Sequence, residues 1–142
     1  METYTQMKKR HQKEVWAFPH FFALSNQSFE KGMKELGLAP SESDKVFGSN
    51  GGYNRCSDAA ALQEMFERHH REMQEAIAAD STGEGFIYQM FRCELANHEY
   101  GFTEELDDTL DALGITDEDI DSSQQLRHGL QKAIQAVQTI SF

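Results

Sequence analysis

Glu67-x-x-His70 on one predicted helix and Glu94-x-x-x-His98 on the next form the most metal-like grouping in the chain. Residues three or four apart share one helix face. In helical bundles, facing Glu and Glu-x-x-His sets hold pairs of iron or manganese ions. Such a centre needs carboxylates from two further helices, and no second Glu-x-x-His occurs in the chain. No metal or cofactor is therefore expected. Glu67, His70, Glu94 and His98 remain the residues that a helical metal- or histidine-dependent hydrolase would use. The alternative is a solvated face for Glu67 and His70, and a hydrogen-bonded core network for Glu94, Asn97 and His98. That network falls in an otherwise apolar segment, where unpaired polar groups cost about 1–3 kcal/mol each, so its members require partners. A pocket with His98 as acid or base oriented by Glu94 is the catalytic version of the same network.

Three other motifs fail when tested position by position. Asp117-x-Asp119-x-Asp121 opens like a calcium loop, but Ser122 stands where the turn needs Gly and His128 where a bidentate Glu should close the site. Gly48-Ser49-Asn50-Gly51-Gly52 lacks the Gly-Lys-Ser/Thr ending of a phosphate-binding loop. Cys56 and Cys93 have no surrounding signature of a nucleophile and do not form a disulfide framework, so both read as free thiols.

The elements that must position these residues are mainly helical. A first helix runs from about Thr3 to Trp16, with Tyr4, Met7, His11 and Val15 on one face and Lys8, Lys9, Arg10 and Lys13 around it. Ser25 or Asn26 caps a second, whose inward face is Phe29, Met33 and Leu36 and whose stop signal is Gly37 with Pro40. Residues 45–55 read as a short β-hairpin with a five-residue loop at 48–52. Ser57 or Asp58 caps a long helix to about Ala79 that turns Leu62, Met65, Phe66, His69, Met73, Ala76 and Ile77 inward.

Phe86 to Tyr100 is apolar almost all round and reads as the central buried helix. Thr103 starts another, with Glu104 and Glu105 in its first turn, where the helix dipole favours anions, and Gly114 stops it. Thr116 restarts a short turn. The last helix begins near Ser122 or Ser123 and carries Leu126, Leu130, Ala133, Ile134 and Val137. The expected fold is mainly α, an α+β arrangement of five or six helices with one hairpin, forming one domain over residues 1–142.

The charge of −11 is placed unevenly. Residues 1–71 hold ten Lys/Arg and nine Asp/Glu, net +1; residues 72–142 hold three against fifteen, net −12. No Lys or Arg lies between Arg92 and Arg127, whereas eleven Asp/Glu do. So acidic a half repels a phosphate backbone, which argues against direct nucleic-acid binding. It suits docking onto the basic surface of a protein, such as a nuclease or other nucleic-acid enzyme, with Glu104, Glu105, Asp107, Asp108 and Asp111 as the preferred contacts. The plainer alternative is a solvated face that keeps a small protein soluble. No apolar run approaches the ~20 residues needed to cross a bilayer, and Met1 to Lys13 has no apolar core of a secretion signal, so a cytoplasmic location is expected.

Three segments carry a resemblance. Phe18-Pro19-x-Phe21-Phe22-Ala23-x-Ser25-Asn26-x-x-Phe29-x-x-Gly32, then Gly51-Gly52-x-x-Arg55-x-Ser57-Asp58, then Glu94-Leu95-x-Asn97-His98-Glu99-Tyr100 resemble a family of small uncharacterised bacterial proteins associated with phages, prophages and conjugative elements. The resemblance spans about residues 1–115 and implies a setting without an activity. By analogy with small acidic proteins of such elements, it implies an inhibitor or modulator of a host defence protein, of the anti-restriction or anti-CRISPR kind. A third possibility is a structural or oligomerising protein that uses Phe18-Pro19-His20-Phe21-Phe22 as an exposed patch. The sequence leaves oligomeric state open.

Overall fold

A computed structural model describes residues 1–49 and 51–140. The chain is mainly helical with one two-stranded antiparallel sheet. It divides into two compact units, residues 11–71 and residues 1–10 with 72–142. Helices α1 (Tyr4–Ala17) and α3 (Ala59–Ala79) each contribute to both units.

In the unit of residues 11–71, α2 (Asn26–Glu35) starts where sequence places it. Ser25 Oγ accepts from the Ser28 amide at 3.2 Å, and Ser28 Oγ accepts from the Ser25 amide at 2.9 Å, so two orphan donors are satisfied together. Strands β1 (Val46–Ser49) and β2 (Gly52–Arg55) pair in register from Val46↔Arg55 to Ser49↔Gly52. Pairing at Ser49↔Gly52 shortens the connection to residues 50–51 instead of the five-residue loop expected; Asn50 lies outside the described residues. Phe21 extends the sheet by a bridge to Tyr53, exchanging backbone bonds of 2.8 and 3.1 Å. Its buried ring stacks on Tyr53 and meets Phe29 edge-on. Gly32 permits this, because a Cβ there would lie 2.1 Å from the Phe21 ring.

In the other unit, α4 (Phe86–Asn97) packs chiefly on α8 (Gln124–Ile140) and also meets α6 (Asp107–Leu113). Phe91, Met90 and Leu95 of α4 and Ala133 of α8 are fully buried, with Tyr4 and Met7 from the start of α1 in the same core. The apolar stripe of α8 is the one read from sequence, and Ser123 Oγ caps it by accepting from the Leu126 amide at 3.2 Å. Helix α7 (Asp117–Ser122) opens with a reciprocal Thr116/Asp119 capping box, so Asp119 serves a helix start.

Two stretches differ from expectation. The segment Phe86–Tyr100 is not one continuous helix buried all round. Gln89, Arg92, Ala96 and Asn97 are exposed. Helix α4 ends at Asn97, and Glu99 takes a left-handed φ of 57° before α5 (Tyr100–Thr103). Thr103 ends a helix instead of starting one: the Glu104 amide closes the last turn onto Tyr100 O at 2.8 Å with φ 55°. Glu104 and Glu105 therefore lie in the link before α6, and only Asp107 and Asp108 occupy a first helical turn. The five or six expected helices stand as α1, α2, α3, α4, α6 and α8, with short α5 and α7 added at the turns. Among the described residues, no helix is long and apolar enough to cross a membrane.

Candidate functional site

Glu94 is a carboxylate of the unit that contains α4, held by side chains of two helices. It is buried, and Oε1 accepts from the Tyr4 hydroxyl at 2.9 Å, from the Lys8 ammonium, and from Asn97 Nδ2 at 3.4 Å. His98 Nε2 stands 3.6 Å from Oε2. Burial alone would raise the Glu94 pKa, but the bonds from Lys8 and Tyr4 outweigh it and keep the carboxyl below its ordinary value. Burial and the neighbouring carboxylate push the Tyr4 phenol well above its usual range. A carboxylate whose charge is stabilised in this way is a weak proton acceptor at neutral pH. What the network does is fasten the first turns of α1 to α4.

Sequence reasoning singled out Glu94, Asn97 and His98 but not Tyr4 and Lys8. The available signal was their i, i+4 spacing on one face of α1. Glu67 and His70 are exposed on α3. Glu67 Oε1 accepts from Gln63 at 3.1 Å. Among the described residues, no group of three or more His, Cys, Asp or Glu is arranged to hold a metal ion. Cys56 is exposed and Cys93 half-buried, both as free thiols.

A second cluster has no counterpart in the motif reading. Glu14 accepts from Arg68 and from His69 Nε2 at 3.0 Å, and the His69 ring stacks on His11 at 3.8 Å. The bonds from Arg68 and then His69 hold the Glu14 carboxyl down at about 2, against 4.5 for a free glutamate. A depressed carboxylate contributes stability that is complete above its unfolded pKa and is lost as pH falls through its folded value. Glu14→Gln should therefore flatten the loss of stability between about pH 4.5 and 2, measured as urea midpoints against pH. Equal acid limbs for the two proteins would refute the assignment.

The preferred acidic contacts have a different character. Glu104, Glu105, Asp107, Asp108 and Asp111 are all exposed, within eight consecutive positions spanning the link and α6. None forms an ion pair among the described residues. The nearest cation downstream in sequence, Arg127, spends its guanidinium on the carbonyls of Ile120 and Asp121. The acidic carboxylates that do find partners lie elsewhere, as in Glu84 with Lys132 at 2.6 Å. Among the described residues the segment therefore projects uncompensated negative charge into solvent, a property that attracts cationic surfaces at long range.

Residues 3–136 match the model of a family described as a family of unknown function (DUF7659). No curated protein and no solved structure matches the chain.

Proposed function

The chain belongs to the DUF7659 family, from which no activity carries over, and we propose from its surface chemistry that it is a small, acidic, non-enzymatic binding protein. Its exposed carboxylates at Glu104, Glu105, Asp107, Asp108 and Asp111 dock on a basic surface of another protein. The observation that carries this reading is their joint exposure with no cation partner among the described residues. Carboxylates kept only for solubility do not need to be segregated from every Lys and Arg over more than thirty residues. Complementary fields speed association and fix orientation more than they add affinity.

The basic surface best suited to such a face is that of a nucleic-acid-handling protein, whose groove is built to attract polyanions. Together with the resemblance to mobile-element proteins, this makes the chain an inhibitor or modulator of a host nuclease or defence enzyme, acting in the cytoplasm. The test is affinity capture from nuclease-treated bacterial lysate, comparing the native protein with a version carrying amides at the five positions. A basic nucleic-acid enzyme retained only by the native protein is the expected result. Identical retained proteins would reduce the acidity to a solubility feature.

A further inference from the structure

The unit of residues 11–71 leaves large rings in solvent on one face. Trp16 is 71% exposed, Phe22 50% and Phe66 37%. Trp16 and Phe22 lie 28° from parallel with centroids 6.0 Å apart, and His20 stands edge-on to both. These four residues, with Leu62 and Asn54, line a recess of about 200 Å³.

Asn54 gives that recess its chemistry. It is only 6% exposed, and its Nδ2 donates to Pro19 O at 2.9 Å. A carbonyl can only accept, so this bond fixes which way the amide faces. Oδ1 has no hydrogen-bond partner among the described residues. Because no side-chain oxygen sealed from solvent lacks a partner among the described residues, Oδ1 must open outward, and the recess is what Asn54 lines. His20 Nδ1–H donates to Phe18 O at 2.6 Å, which leaves Nε2 of the neutral ring as a second acceptor.

Two acceptors within aromatic walls call for a ring that carries an N–H or O–H donor. The recess is smaller than the roughly 300–1,000 Å³ that enclose a whole small ligand, and one tryptophan or tyrosine side chain is of a size to enter it. Such residues are the usual anchors of protein interfaces.

A wider depression of about 680 Å³ adjoins it, sharing Leu62 and Phe66. Its lining holds one carboxylate, Glu67, which accepts from Gln63 and forms no ion pair among the described residues. A cation beside the aromatic anchor would complement it. We propose that this face receives a partner protein through a tryptophan or tyrosine side chain flanked by a lysine or arginine. The proposal does not depend on the acidic reading above.

The test titrates the ¹⁵N-labelled full chain with 3-methylindole, with 1,3-dimethylindole, which keeps the ring and loses the donor, and with the peptides acetyl-Lys-Trp-Lys-amide and acetyl-Glu-Trp-Glu-amide. The readouts are the Gly52 amide and the Asn54 side-chain amide signals. 3-Methylindole is expected to move both and to bind roughly tenfold tighter than its N-methylated relative, the worth of one buried hydrogen bond. The lysine peptide is expected to bind tighter than the glutamate peptide, and Glu67→Gln, at an exposed position, to erase that preference. Equal affinities within either pair, or no movement of the two signals at saturation, would overturn the proposal. So would a concentration-dependent dimer that buries Trp16, seen by sedimentation and Trp fluorescence, since the occupant would then be a second copy.

Discussion

Glu94→Ala should lower the unfolding free energy by roughly 3 kcal/mol, because it strips a buried network of its only anion. The Tyr4 hydroxyl would lose its acceptor inside the core, and Lys8 would lose its counter-charge. Lys8 is 29% exposed and can swing its ammonium into water, which keeps the loss at the lower end of the range for broken buried pairs. Glu94→Gln keeps an acceptor for Tyr4 and removes only the charge, so it should lose about 1 kcal/mol. Urea unfolding of the two variants checks the order. Equal losses would mean that charge, and not the shape or acceptor that Gln retains, is what the site contributes.

Gly129→Ala should be nearly as damaging, against the helix propensity that favours Ala by about 1 kcal/mol. A Cβ at position 129 would stand 2.5 Å from Ile87 Cγ2 and 2.6 Å from the Gly83 carbonyl oxygen. The Ile87 side chain is fully buried and the second obstacle is backbone, so neither can turn aside. Helix α8 must then move off α4, the helix it packs against most closely. A net loss of roughly 2–3 kcal/mol follows, or about 6–10 °C in Tm. An unchanged or raised Tm would show that the contact between α4 and α8 is looser than described.

Features decided within a few residues were legible in the sequence. The Ser25 cap, the α3 end at Ala79, the Gly114 stop of α6 and the α8 stripe stand where capping chemistry and periodicity put them. The breaks at Glu99 and Glu104 were not legible, because both left-handed positions are held by non-glycine residues, while the glycine between them, Gly101, falls inside α5. Periodicity also placed Phe66 inward, yet it sits at the surface. Helical spacing names a face but cannot say how far the neighbouring elements cover it.

The candidate site divides in the same way. Exposure of Glu104, Glu105, Asp107, Asp108 and Asp111 follows from charge alone. The partners of Glu94 come from Tyr4 and Lys8, 90 and 86 positions away, a pairing that only the folded chain brings about. The stack of His11 on His69, two residues that periodicity assigns to apolar faces, and the bond from His69 to Glu14 arise in the same way.

The central claim is electrostatic docking, and the salt dependence of affinity tests it most directly. With a partner captured by the native protein, the dissociation constant is measured by calorimetry from low to physiological ionic strength and beyond, for the native protein and for the version with amides at Glu104, Glu105, Asp107, Asp108 and Asp111. The native complex should weaken steadily as salt rises, and the amide version should bind more weakly at low salt with a much flatter dependence, the two converging at high salt. Parallel curves of equal affinity would contradict the claim and assign the acidic segment to solubility alone.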